Sequence, residues 1–237
     1  VPAGAPEIFV KAAVDKPRVY WNEPLIVRLR IYSRVELLEY PDWKAPSTVG
    51  FWSESLGPPK NGRVRAGGVE YAVTEIATAL FPTRTGTLRV GPAQVRCRFA
   101  RVVQPPDPWS ALAFPEVTPQ EVVLASDPIT VTVDPLPQGA PEGFDGAVGD
   151  FALKLRIDRR TGRVGEPVTV HAIVSGEGNI ASRRDPEIRT MAPVRQYVAG
   201  AATRIDRSGN RISGERTVDI ALIPDRSGPL TVLPVRF

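Results

Sequence analysis

The sequence is poor in the side chains on which most protein chemistry depends. Its 237 residues include one cysteine, one histidine and one methionine. A single cysteine (Cys97) excludes an internal disulfide and every CxxC redox or zinc motif. A single histidine (His171) excludes the multi-histidine sites of most zinc, copper and non-haem iron chemistry. Aromatic residues are 7% of the chain. No run approaches the roughly 20 apolar residues of a membrane-spanning helix. The opening VPAGAPE has neither the basic nor the apolar region of a signal peptide, so any export signal or anchor is expected outside these residues. Net charge is only +4, from 30 cations (25 of them Arg) and 26 anions interspersed along the chain. Nucleic-acid binding rests on clustered cations, and this pattern reads instead as a solvated surface.

Proline and glycine are abundant, 25 and 20 residues, about a fifth of the chain against roughly 12% in average usage. Proline at this density interrupts long helices. With 42% hydrophobic residues the chain is nevertheless expected to fold. Short alternating runs dominate. Leu25, Val27, Leu29 and Ile31 fall on one face, Arg28 and Arg30 on the other, the period of a half-buried strand. The same alternation recurs in 95–99, 153–157, 168–174 and 218–222, and 8–14, 71–80, 87–90, 121–124 and 129–133 are further strand candidates. Turn signals stand between them, among them Asn61-Gly62, Gly67-Gly68 and Thr85-Gly86. Short helical turns are expected at 33–40 and 108–114, each stopped by a proline.

An internal repeat organises the chain. Val14-Asp15-Lys16, then Asn22-Glu23-Pro24 and a strand, match Ile157-Asp158-Arg159, then Gly165-Glu166-Pro167 and a strand, at an offset of 143. Segment 79–95 matches 221–237 at an offset of 142, with eight of seventeen positions identical. Two copies of one domain are the expectation. Short strands with turns every 8–12 residues point to an all-β fold, two tandem immunoglobulin-like antiparallel sandwiches. The first spans 6–135 with a loop insert near 100–120. A Pro/Gly-rich linker follows at 136–149, and the second spans 150–237. Phe237 is the partner of Val95, so the second copy is expected to lack counterparts of the first copy's last strands and to carry an open sheet edge.

No catalytic constellation assembles from these residues. A Ser-His-Asp arrangement would need His171, and no GxSxG elbow accompanies it; a strand histidine on the wet face is the simpler reading. Cys97, alternating with Val95 and Phe99, reads as a small buried hydrophobe. The carboxylate pairs Glu36/Glu39 and Asp219/Asp225 read as chance neighbours. Asp206-Arg207-Ser208-Gly209-Asn210 lacks the ligands of a calcium loop. Gly176-Glu177-Gly178-Asn179 follows a strand without opening a helix, so it reads as a turn rather than a phosphate cradle. No catalytic, cofactor-binding or metal-binding residue is therefore assigned, no cofactor is expected, and the protein is read as not an enzyme. Trp43, Phe51, Trp52, Trp109 and Phe114 lie near prolines in loop-like stretches. They serve either as interface anchors or as plugs at the sandwich ends. The insert Gln104–Trp109 is the leading candidate contact surface. The candidate contact residues are thus Asp107, Trp109, Phe114, Trp43 and Trp52.

Several motifs together resemble the BatD (Bacteroides aerotolerance, or oxygen tolerance) family of bacterial envelope proteins. They are Val14-Asp15 with Val19-Tyr20 and Glu23-Pro24, Gly68-Val69-Glu70-Tyr71, Leu80–Gly86 with Leu88–Ala93, Ser126–Ile129 with Val133–Pro137, Phe144–Gly149, and Ser175–Ile180. The resemblance covers nearly the whole chain. It implies a periplasmic protein on the outer side of the bacterial inner membrane, anchored by a segment outside these residues. It implies von Willebrand A-domain membrane proteins of the same operon as partners, a MoxR-type ATPase as companion, and no catalytic residues. The expected function is a non-enzymatic interaction module of an oxidative-stress tolerance complex in the envelope, in which Asp107 would offer a carboxylate to a partner's metal ion. The alternatives are an assembly or chaperone-type factor that pairs β-strands, and a carbohydrate-binding or adhesion module.

Overall fold

A computed structural model describes residues 5–103, 116–139, 144, 146–180, 185–207 and 211–235. Fifteen strands and no α-helix occur among them. The chain divides into two compact units. One comprises the residues up to Val19, Leu25–Leu80 and Thr85–Val133; the other takes Tyr20–Pro24, Phe81–Arg84 and the chain from Asp134 onward.

The first unit carries a large antiparallel sheet in the order β1 (Ile8–Val14), β3 (Leu25–Ser33), β7 (Val69–Pro82), β5 (Phe51–Ser55), with β6 (Lys60–Ala66) also on β7. Against it stand two three-stranded sheets. One is β10 (Glu116–Ala125), β9 (Gln94–Val103), β4 (Asp42–Lys44); the other is β2 (Arg18–Tyr20), β11 (Ile129–Asp134), β8 (Gly86–Val90). The alternating residues of β3 meet those of β9: Leu29 and Ile31 pack with Val95, Cys97 and Phe99 in one buried cluster. This is the inter-sheet core of a β-sandwich. The two-residue turn Gly67-Gly68, with φ of 57° and 81°, closes the β6–β7 hairpin between Ala66 and Val69. Both residues need φ > 0, so glycine suits both positions.

The second unit holds one four-stranded antiparallel sheet in the order β12 (Gly149–Ile157), β13 (Val168–Gly178), β15 (Ser213–Pro224), β14 (Val194–Asp206). Val170, Val218, Ile220 and Leu222 form its core with Ile188, and Leu230, Val232 and Val235 pack against them.

Residues that repeat in sequence make the same hydrogen bonds. Asp15 Oδ1 accepts the Ile26 N–H at 2.6 Å, and Asp158 Oδ1 accepts the Thr169 N–H at 3.0 Å. Glu23 Oε2 accepts the Tyr20 N–H, and Glu166 Oε2 the Arg163 N–H. The Asn22 N–H donates to Pro82 O and the Gly165 N–H to Pro224 O. Asn22 and Gly165 share a left-handed φ, 65° and 85°, which Asn and Gly tolerate best. The Asp and Glu-Pro motifs are therefore turn chemistry. Their carboxylates satisfy backbone donors at strand ends, as Asx-type bonds do. The Asp158 carboxyl loses some solvation, but the Thr169 and Arg159 N–H groups and the Arg159 guanidinium outweigh that and hold its pKa below the usual value.

Several expectations change. Residues 33–40 form no helical turns; Ser33 ends β3, and Leu37 makes an isolated bridge to Phe99. Cross-strand pairing there outweighs a marginal two-turn helix. The expected helix at 108–114 lies outside the described residues. Asn61-Gly62 is not a turn but lies within β6, paired to Thr74 and Val73. Trp43, Phe51 and Trp52 are not in loops: Trp43 is the centre of β4, and Phe51 and Trp52 open β5. Gly176-Glu177-Gly178 is not a turn either; it is the end of β13. A Cβ on Gly176 would lie 2.0 Å from Asp150 O on β12, so glycine there permits close strand approach.

Candidate functional site

Trp43 sits opposite Val95 in the β4–β9 pair. Pairing to β9 fixes its ring against the inter-sheet cluster, where it is half-buried. It lines a cavity of about 110 Å³ between the sheets of the first unit. Val27, Leu29 and Leu80 come from one sheet, and Trp43 and Ala93 from the other side. Alanines (Ala12, Ala45, Ala93) line it where larger side chains would take up space. The polar lining groups are hydroxyls, from Thr48, Ser53 and Thr78, besides the Trp43 indole, and no ionisable side chain lines it. Such a site suits an apolar or aromatic group with one or two hydrogen bonds, not acid–base chemistry. Tyr40, 53% exposed, leans edge-on against Trp43 with ring centroids 6.4 Å apart. Its hydroxyl is 3.3 Å from Asn61 Oδ1.

Trp52 occupies β5 and is 44% exposed. Its neighbour Ser53 lines the cavity, so strand alternation carries the Trp52 side chain to the other face. The structure thus separates Trp43 from Trp52. Asp107, Trp109 and Phe114 lie outside the described residues, as does most of the insert.

Cys97 is 1% exposed, and burial pushes its thiol pKa up, so it is an inert core residue. Of the carboxylate pairs read as chance neighbours, Asp219 and Asp225 take different partners: Asp225 takes Arg195 at 3.0 Å, and Asp219 takes His171. The His171 Nδ1 to Asp219 Oδ1 distance is 2.7 Å, across the β13–β15 register. Sequence reasoning placed His171 on the wet face but missed this partner. The signal was present in the two alternating runs 168–174 and 218–222, which pair directly. Both side chains are more than a third exposed, and the contact reads as a cross-strand polar pair.

Among the described residues no group of three His, Cys, Asp or Glu is placed to hold a metal ion, and no helix is long and apolar enough to cross a membrane. No family model matches the chain, and no curated protein matches it.

Proposed function

We propose that this protein is a non-enzymatic interaction module whose first unit receives an apolar side chain of a protein partner in the Trp43 cavity. The observation that carries the reading is the combination of an uncharged, apolar inter-sheet cavity with the Tyr40–Trp43 pair beside it. Interface anchors are characteristically aromatic side chains at well-packed pockets. The sequence resemblance supplies the setting: the periplasmic side of a bacterial inner membrane, von Willebrand A-domain partners of the same operon, and a complex for oxidative-stress tolerance. A strand-pairing role is the second reading, favoured by the long edge strand of the second unit.

The test is a binding titration against the periplasmic von Willebrand A domain of the same operon, with Mg²⁺ and again with EDTA. Trp43→Ala weakens binding at least tenfold, and the exposed Tyr40→Ala weakens it without disturbing the fold. Binding abolished by EDTA directs attention to an acid such as Asp107. Binding unchanged in both variants overturns the cavity as the contact, and no binding at high micromolar concentration overturns the partner.

A further inference from the structure

We infer that the second unit pairs with a second copy of this chain along β14, edge to edge and antiparallel. The inference stands apart from the Trp43-cavity reading, which concerns the first unit, and assigns the edge of the strand-pairing reading to a second copy of this chain.

Among the described residues β14 pairs with β15 alone and closes one side of its sheet. It runs for 13 residues. From Gln196 to Thr203 it holds no charge and no proline, and Tyr197 and Val198 are 53% and 57% exposed. Long uncharged edges are the ones that recruit another strand. Two other edges of this protein are guarded. In the first unit the strand next to β7 is split into β5 and β6 by Gly57-Pro58-Pro59, and β6 carries Lys60, Arg63 and Arg65. The opposite edge of the second unit, β12, carries Lys154 and Arg156. Only β14, of these, has neither device along its centre.

The register follows from a bulge and from charge. The β14–β15 pairing shifts between Val198 and Gly200, so alternation slips by one residue at Ala199. Before the shift Arg195 and Tyr197 stand opposite Ile223 and Ala221; after it Arg204 and Asp206 stand opposite Glu215 and Ser213. These four therefore share one face of the sheet, the face of Asp219 and His171. A two-fold axis normal to the sheet brings same-face residues opposite one another. Arg195–Val198 of one copy then lies against Thr203–Asp206 of the other. Arg195 faces the second copy's Asp206, Tyr197 faces its Arg204, and Val198 faces its Thr203. Moving the register by two residues toward Arg204 would set Arg195 against Arg204, a like-charge opposition. The dyad repeats each favourable pair twice. Arg195 is 68% exposed while it holds Asp225 at 3.0 Å, so it has room for a second carboxylate.

The test is sedimentation equilibrium of the whole chain over a concentration series. Wild type shows a reversible monomer–dimer equilibrium. Arg195→Asp and Asp206→Arg, each an exposed change, weaken the dimer about tenfold or more, because the dyad counts each change twice. The double variant R195D/D206R restores it. A wild type that stays monomeric throughout, a dimer indifferent to either single variant, or a double variant no tighter than the singles overturns the proposal. Circular dichroism spectra matching wild type confirm that the variants are folded.

Discussion

Replacing Asn179 with alanine isolates one buried polar clamp whose cost follows from its partners. Asn179 is 3% exposed. Its Oδ1 accepts the Val148 N–H at 3.1 Å, and its Nδ2 donates to Gly146 O at 3.1 Å. It thereby ties the segment entering β12 to the end of β13. The two losses are unequal. Gly146 O also accepts from Asn22 Nδ2 at 3.2 Å, so it keeps a donor and loses only the net value of one bond, about 1 kcal/mol. The Val148 N–H, which is only part-buried, loses the acceptor that the amide provides. Water reaches it in part, so the loss stands near the low end of the about 1–3 kcal/mol of an orphaned buried donor. Removing the buried amide returns part of its own desolvation, which keeps the sum to about 2 kcal/mol. For a unit of this size that lowers Tm by about 10 °C. Differential scanning calorimetry of wild type and Asn179→Ala reads it directly, with the fall confined to the transition of the second unit. A fall smaller than about 2 °C would refute the accounting. So would an equal fall across all unfolding.

Two further outcomes follow from burial and close approach. Cys97 reacts slowly with a thiol reagent at pH 8 in the native protein and rapidly in denaturant, because burial raises its pKa and hides the sulfur. Since the neutral thiol is the form the core holds, this contribution to stability is present below the unfolded thiol pKa and is lost as pH rises through the folded one; labelling rates across pH in native buffer check the sign. Gly176→Ala places its Cβ against Asp150 O at 2.0 Å and at φ 155°, so it destabilises the second unit. Gly62→Ala, with nothing within 4 Å of its Cβ, changes Tm by no more than a degree or two; comparable losses for both variants would contradict the packing of β12 on β13.

Much of the architecture is legible in the residues because strand burial has a period of two. Leu29 and Ile31 alternate with Arg28 and Arg30 in the sequence, and they are buried while Arg30 is exposed. Cys97 follows the same logic between Val95 and Phe99. The Asp and Glu-Pro repeats were visible as letters, but their work as acceptors for Ile26, Tyr20, Thr169 and Arg163 N–H groups appears only once the strands are placed. Trp43 was legible as a candidate and misplaced in a loop. Three residues carry too little pattern to announce a strand, and β4 exists because β9 offers it a partner. The His171–Asp219 contact and the Arg195–Asp225 contact join residues 48 and 30 positions apart, which no local window relates.

By itself the sequence determined the all-β fold class, the internal repeat, and that one cysteine can form no internal disulfide. Those follow from composition and local periodicity, which every short stretch of chain carries. Only the tertiary structure decided where side chains from distant strands leave a cavity beside Trp43, which edges stay open, and which charges face one another. Those depend on register and on the spacing of two sheets, and both are set by long-range pairing that no single segment encodes.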